Sequence, residues 1–162
     1  MKAVVQRVRN ASVTVEGTVA GAIGRGLLVY LGVAAEDTEK DADWLAEKIA
    51  NLRIFQDSEG KMNLSLLDIV KQDSNKSDEP PVGVLTISQF TLLADARKGR
   101  RPYYGAAAEP EKANSLYKYF MDKIKTQGLV SEAGVFQAHM DVCYINDGPV
   151  TILLDSGPEQ TQ

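Results

Sequence analysis

The chain has 162 residues, 44% of them hydrophobic and 25% charged, which suits one globular domain with a sizeable core. No apolar run approaches a membrane span, and the first residues lack the basic and then apolar pattern of a signal peptide, so a cytosolic protein is expected. The net charge of −4 argues against a general nucleic-acid coat, so an RNA partner would have to bind a local basic patch. The single cysteine, Cys143, excludes an internal disulfide and is predicted to be a small core residue.

The first half of the chain predicts an antiparallel meander followed by a helix. Short runs of β-branched residues separated by glycine turns predict strands at these positions: 4–8, 11–16, 19–23 and 27–33. Across 37–51 the apolar residues recur every three or four positions, which predicts an amphipathic helix with Trp44 anchored on the sheet. Beyond this helix, the alternation of Met62, Leu64 and Leu66 predicts a further strand.

The second half predicts an exposed loop at 71–81, where no apolar residue occurs, and a second helix from Pro110 to Gly128. Strands are predicted at these positions: 84–93, 135–144 and 150–154, with a tight turn at 146–149 before the last. The expected fold is α+β, a mainly antiparallel sheet or barrel-like core with two packed helices. A single domain should span 1–156, with a flexible tail at 157–162.

The stretch 82–102 combines an apolar strand with polar residues and a basic loop. Ser88, Gln89 and Thr91 interrupt the strand, and burying such groups is costly unless each finds a hydrogen-bond partner. Either a local network satisfies them or the strand end lines a pocket. The basic residues that follow would favour an anionic substrate such as a phosphate, unless they belong to a solvated loop. They are Arg97, Lys98, Arg100 and Arg101.

The usual catalytic arrangements have no visible candidate. His139 is the only histidine, nothing places it beside Ser88, and no Gly-x-Ser-x-Gly elbow occurs. One histidine and one cysteine do not make a zinc site of the usual composition, so neither a metal nor a cofactor is expected. A site of backbone groups and small hydroxyls remains, although Ser88 and Thr91 could equally bond to neighbouring strands.

Two motifs carry a family resemblance. The segments 88–91 (Ser-Gln-Phe-Thr) and 148–151 (Gly-Pro-Val-Thr) resemble the signature motifs of the D-aminoacyl-tRNA deacylases, also called D-tyrosyl-tRNA deacylases. The segments 1–8, 60–66 and 97–102 resemble the same family, in the same order along nearly the whole chain.

The resemblance implies hydrolysis of a D-amino acid ester at the 3′ end of tRNA, with glycyl-tRNA also at risk. Backbone N–H groups near Phe90 and Thr91, with Ser88 and Gln89 in the same motif, would hold the carbonyl oxygen as an oxyanion hole. The substrate 2′-hydroxyl would help to activate water, and no side chain would act as a base. A cis Gly148-Pro149 unit would aim its carbonyl oxygens at the α-carbon and reject L side chains.

In this family the Gly-Pro unit enters the active site of the partner subunit, which implies an obligate homodimer. Arg7 would hold that unit, Phe136 would line the adenosine pocket, and the basic loop would contact phosphates. No membrane or DNA partner is expected. The residues alone also allow Arg7 as an exposed strand charge and Phe136 as a core residue. They equally allow a non-catalytic tRNA-binding module, or an esterase that uses Thr91 or Ser88 as a covalent nucleophile.

Overall fold

The computed structural model describes residues 1–72 and 80–157, which form a mixed sheet, a small hairpin and packed helices. The strands are β1 Lys2–Val15, β2 Thr18–Ile23, β3 Gly26–Gly32, β4 Phe55–Gln56, β5 Met62–Leu64, β6 Gly83–Ser88, β7 Val130–Ala133 and β8 Asp141–Asp155. The helices are α1 Glu39–Asn51, α2 Leu66–Gln72 and α3 Pro110–Thr126, with a 3₁₀ helix at Phe90–Leu93. None of the described helices is long and apolar enough to cross a membrane.

The sheet is built around β1. Its first half pairs with β3 and its second half with β2, both antiparallel, while β8 pairs with the opposite edge. β6 pairs with β3 and β7 pairs with β6, both in parallel, because helical connections carry the chain back between them. The expected α+β class is confirmed, with strand order β2-β1-β3-β6-β7 and β8 beside β1.

The two faces of this sheet bury separate clusters. On one face α1 and α3 pack through an apolar stripe that includes Leu45, Ile49 and Phe120. The other face carries a smaller cluster around Leu28 and Ile87, which partly buried side chains of the C-terminal third cover.

Three helices are present in the described chain where two were expected. The predicted strand through Leu66 ends at Leu64, and α2 begins at Leu66 instead. The cause is local, because the Asp68 carboxylate accepts hydrogen bonds from the Ser65 N–H at 2.9 Å and the Ser65 hydroxyl at 2.7 Å. α2 also includes the first two residues of the predicted loop at 71–81, whose positions 73–79 lie outside the described residues.

The predicted turn at 146–149 is wrong. Residues on both sides of it pair with the same strand β1 in the same antiparallel sense, with Tyr144 opposite Ala11 and Thr151 opposite Gln6. The chain therefore does not reverse, and the register shift marks an irregularity within one strand. The strand predicted at 135–144 likewise begins only at Asp141, and the strands predicted at 4–8 and 11–16 are both parts of β1.

Two core predictions are also wrong. Cys143 is exposed on β8, because that strand has a solvent-facing side in the described chain. Trp44 is 42% exposed and lies beneath the Lys48 ammonium, 5.5 Å from the ring centre, instead of packing on the sheet. Of the expected tail, Gly157 is described and 158–162 lie outside the described residues.

Candidate active site

The Ser88–Thr91 motif lies where β6 ends. The predicted strand at 84–93 stops at Ser88, the Gln89 N–H donates to the Leu31 carbonyl of β3 at 2.8 Å, and the 3₁₀ helix begins. Gly32 permits this turn to pack against β3, because a Cβ there would lie 3.0 Å from the Gln89 carbonyl oxygen and closer still to Leu93. The motif is therefore held by the sheet and not by a free loop.

A cavity of about 720 Å³ opens beside this turn, a size typical of small-ligand sites. Its polar and aromatic walls are contributed by these residues: Tyr30, Ser88, Gln89, Phe90, Tyr117, Phe136, Gln137 and His139. Ser88, Gln89, Phe90 and Phe136 lie around this one cavity, whereas Thr91 is exposed and does not line it.

The N–H groups of Phe90 and Thr91 are not used within the described chain. They open the 3₁₀ helix, where the first N–H groups have no intrahelical acceptor, and no other acceptor meets them in the part that the structure describes. The Gln89 side-chain amide donates to Thr91 Oγ1 and fixes the turn. Two backbone donors in the turn that borders the cavity are therefore free to bind an acceptor.

The geometry of a catalytic triad is missing from the described residues. His139 is 95% exposed, and its nearest carboxylate partner is Asp141 at 3.8 Å. Neither Ser88 nor Thr91 hydrogen-bonds to an imidazole in this part of the chain. Nor do three histidine, cysteine or acidic side chains cluster anywhere in it as metal ligands. An activated serine or threonine nucleophile has no base beside it.

Two tyrosines keep the cavity wall uncharged. The Tyr117 hydroxyl donates to the Thr86 carbonyl at 2.7 Å, and burial raises the pKa of Tyr117. Burial, with a smaller contribution from Tyr144, raises the pKa of Tyr30 to about 12. Both hydroxyls therefore stay protonated at neutral pH. Phe136 lies 6.0 Å from the Tyr117 ring and completes an aromatic wall.

Arg7 is buried under the Gly148-Pro149 segment. Only 5% of the residue is exposed, so the interpretation as an exposed strand charge is wrong. Its Nε lies 3.2 Å from the Asp147 carbonyl oxygen and 3.1 Å from the Asp147 carboxylate, and Nη1 donates to the Ile54 carbonyl. The Gly148-Pro149 bond is cis, and Gly148 has a φ of +126°.

Gly148 and Pro149 do not reach the cavity of their own chain. Both residues are exposed on β8, and neither they nor Arg7 contributes to the cavity wall. β8 pairs only with β1 among the described strands, and its surface exposes Tyr144, Ile145 and Leu153.

The basic loop lies in solvent after the 3₁₀ helix. Arg97 forms two hydrogen bonds with the Asp95 carboxylate, at 2.9 and 2.6 Å, and these hold the pKa of Asp95 below its usual value. Lys98, Arg100 and Arg101 are exposed and have no ion-pair partner within the described residues. These four residues do not line the cavity.

Sequence reasoning missed several residues of the cavity wall. Tyr30 and Tyr117 were not singled out, although Tyr30 is the one polar side chain in an otherwise apolar strand. Gln137, whose φ is +64°, carries no motif at all. His139 was noted but could not be placed. Long-range packing brings these residues together, and no local pattern signals it.

Comparison with known proteins identifies the family. A family described as D-Tyr-tRNA(Tyr) deacylase matches residues 4–155. A Koribacter versatilis (strain Ellin345) protein named D-aminoacyl-tRNA deacylase is 57% identical over 159 residues, covering 98% of this chain and 99% of that protein. A Caldicellulosiruptor bescii protein of the same name is 55% identical over 156 residues, covering 96% of this chain and 97% of that protein.

Two solved structures have the same fold. The c-Myc DNA Unwinding Element Binding Protein is 42% identical with a TM-score of 0.83, covering 96% of this chain and 98% of that one. A probable eukaryotic D-amino acid tRNA deacylase matches with a TM-score of 0.76 over 94% of this chain and 97% of that one, and its 15% identity is evidence for the fold alone. From the match over residues 4–155 and the high identity along nearly the whole chain, the predicted resemblance is confirmed: the chain belongs to the D-aminoacyl-tRNA deacylase family.

Proposed function

We propose that this protein hydrolyses the ester of D-aminoacyl-tRNA, and of glycyl-tRNA, releasing the free amino acid and tRNA in the cytosol. The observation that carries the proposal is the cavity beside Ser88, Gln89 and Phe90, with two unused backbone donors next to it. Family membership supplies the substrate class. No cofactor or metal is required for this reaction.

The chemistry needs an oxyanion hole and a correctly placed water. Water adds to the ester carbonyl carbon, and the N–H groups of Phe90 and Thr91 donate to the oxygen that becomes negative. The ester C–O bond then breaks, and the 3′-oxygen leaves as a hydroxyl after it takes a proton. The neighbouring 2′-hydroxyl of the substrate assists the water, so no protein base is needed. One oxyanion donor is worth about 10²- to 10³-fold in rate.

We assign the rejection of L side chains to the Gly148-Pro149 unit of a second copy of the chain, and we call this unit the chiral filter. Gly148 and Pro149 lie outside their own cavity, on a strand that leaves apolar side chains and one edge exposed. Such an edge is usually covered, and a two-fold dimer would insert each Gly148-Pro149 unit into the partner's cavity. Its carbonyl oxygens would clash with an L side chain and leave space for a D side chain.

The first experiment measures deacylation of matched D- and L-aminoacyl-tRNA by the purified protein, with uncatalysed hydrolysis as the control. Rapid cleavage of the D ester and background cleavage of the L ester are expected. Tight tRNA binding with no ester cleavage would instead identify a non-catalytic tRNA-binding module. Duplex DNA is expected not to compete with the substrate, and strong competition by it would contradict the absence of a DNA partner.

A mixing experiment tests whether the site is shared between subunits. One parent is Ala138→Trp, which fills the cavity, and the other is Gly148→Ala, which alters the filter. Alone, Ala138→Trp should be inactive, and Gly148→Ala should turn over the D ester slowly with a narrowed D/L ratio. Mixed dimers should regain activity, because the open cavity of one chain meets the intact filter of the other. Dimers that form but stay inactive would place the filter in its own chain.

A further inference from the structure

Two tyrosines follow the basic loop and remain accessible. Tyr103 is 72% exposed and Tyr104 is 37% exposed. The loop is closed at its base, because Asp95 and Tyr103 exchange backbone hydrogen bonds of 2.8 and 2.9 Å. Beyond Tyr104 the chain is held to the residue that follows β3, because the Ala108 N–H donates to the Val33 carbonyl at 2.9 Å. Both rings therefore project from backbone that is anchored to the sheet.

The Tyr104 ring continues the aromatic wall of the cavity outward, and Tyr103 is its neighbour along the chain. The Tyr104 ring stands edge-to-face against Phe90, with centroids 5.1 Å apart, and Phe90 itself lines the cavity. The Tyr103 ring lies so close to Gly105 that a Cβ there would collide with it. One side of the Tyr103 ring is thus supported by backbone, while most of its surface faces solvent.

The loop that precedes this pair is positively charged. Lys98, Arg100 and Arg101 are exposed on the loop that Tyr103 closes, and Asp95 neutralises only Arg97. Exposed aromatic rings beside uncompensated cations are the features with which proteins bind single-stranded nucleic acid: bases stack on the rings and phosphates contact the cations.

We propose that Tyr103 and Tyr104 form a stacking platform for the unpaired nucleotides that precede the terminal nucleotide of the tRNA, with Lys98, Arg100 and Arg101 on their phosphates. The inference rests on the proposed function, which places the aminoacylated 3′ end in the cavity. It adds a subsite outside the cavity that every tRNA can use, because each base has a face to stack and no base edge is read.

A fluorescent RNA tests the platform without any ester. The probe is a short unacylated oligonucleotide with 2-aminopurine next to its 3′-terminal adenosine. Stacking should quench the fluorescence on binding. Tyr103→Ala should weaken probe binding by roughly 5- to 100-fold and lose the quench, because one base–aromatic stack is lost. Tyr103→Phe should retain both, since the ring remains.

Gly105→Ala displaces the Tyr103 ring without removing it. Its affinity for the probe should lie between those of Tyr103→Ala and Tyr103→Phe. Kinetics give an independent readout: Tyr103→Ala should raise KM for D-aminoacyl-tRNA and leave the KM for a minimal D-aminoacyl-adenosine unchanged. kcat should stay the same on both substrates, because Tyr103 does not line the cavity.

The outcomes separate this proposal from the proposed function. A wild-type enzyme that cleaves the ester, with Tyr103→Ala equal to it in probe binding and in both KM values, would overturn the platform alone. Quenching that depends on Tyr103, in a protein without deacylase activity, would support the platform and overturn the function. Loss of the dimer mass in Tyr103→Ala would also overturn the platform, because a second copy would then cover this surface.

Discussion

At the scale of single residues, Ser88 ends β6 and Thr91 lies in the turn that follows it, and neither hydroxyl has a base beside it in the described chain. The Thr91 hydroxyl accepts a hydrogen bond from Gln89 and does not line the cavity. Ser88 lines the cavity, but no described base contacts it. The two N–H groups assigned to the oxyanion hole belong to the backbone and survive truncation of either side chain.

Thr91→Ala and Ser88→Ala should therefore keep turnover within roughly tenfold of the wild type, since a lost neutral hydrogen bond is worth about 1 kcal/mol. Single-turnover hydrolysis of D-aminoacyl-tRNA measures this. A true covalent nucleophile would instead lose about 10⁶-fold on truncation, as in serine hydrolases. An acyl-enzyme trapped on Thr91 in a quenched reaction would show that Thr91 is a covalent nucleophile and would contradict this prediction.

Arg7 offers a second test at the same scale. Arg7→Ala removes a buried guanidinium and leaves the Asp147 and Ile54 groups without their donor. The free energy of unfolding should fall by about 2 to 4 kcal/mol, less than for a fully buried pair because the Asp147 side chain is 31% exposed. Urea denaturation of the purified variant measures the change.

Arg9→Ala is the matched control for Arg7. Arg9 also bonds to the Asp147 carboxylate, at 3.2 Å, but its side chain is 72% exposed. Its loss should cost less than about 1 kcal/mol, because solvent screens the pair. Equal losses in the two variants would mean that burial of Arg7 adds nothing to stability.

At the scale of elements, β8 combines a long antiparallel strand with an irregular segment that only glycine fits. A Cβ at Gly148 would lie 2.9 Å from Arg7 Nη2 and 2.9 Å from Val150 Cγ2. The backbone φ of Gly148, +126°, also disfavours any residue with a side chain. The strand therefore carries a segment whose shape is set by contacts with β1 and by the absence of a side chain.

Gly148→Ala should lower the free energy of unfolding by about 2 to 4 kcal/mol and narrow the D/L ratio of any remaining activity. Gly17→Ala separates backbone strain from steric contact of the new Cβ, because Gly17 has a φ of +78° but open space around it. That control should cost only about 1 to 2 kcal/mol and leave the D/L ratio unchanged. An unchanged D/L ratio in folded, dimeric Gly148→Ala would remove this segment from the chiral filter.

At the scale of the whole molecule, a chain of net charge −4 has to bind a polyanion through a local patch. Lys98, Arg100 and Arg101 are the uncompensated cations of the loop beside the cavity. Arg97 is expected to contribute less, because Asp95 already holds it. This ranking goes beyond the sequence, which presented the four basic residues as equivalent.

Replacing Lys98, Arg100 and Arg101 together with alanine should weaken tRNA binding and flatten its salt dependence. Each lost phosphate contact should lower the log–log slope by roughly 0.7 to 0.9. A triple variant of Lys40, Lys48 and Lys118 is the control, since it removes the same charge from the exposed surfaces of α1 and α3. If the two triple variants have equal salt-dependence slopes, the loop does not contact tRNA phosphates and is a solvated charge cluster.

Local sequence patterns predicted much of the fold. The apolar stripes of α1 and α3 repeat with the helical period, and both helices form where the stripes predict them. The wrong prediction at α2, a strand through Leu66, also has a local cause. Ser65 and Asp68 have the spacing of a capping box, but the alternating apolar residues around them favoured a strand. The wrong prediction at 146–149 has a long-range cause. Asn, Asp, Gly and Pro favour a turn, but both flanks pair with β1, so the chain continues as one irregular strand.

The sequence by itself determined the family, the two motifs and the helical faces, because each depends on residues that are neighbours along the chain. Only the tertiary structure decided that Arg7 is buried, that Gly148 lies outside its own cavity, and that Tyr104 contacts Phe90 at the cavity wall. The cavity wall joins β3, β6, α3 and the loop at 134–140, segments far apart in sequence. Their meeting depends on strand order and register, which long-range pairing sets and no local period encodes.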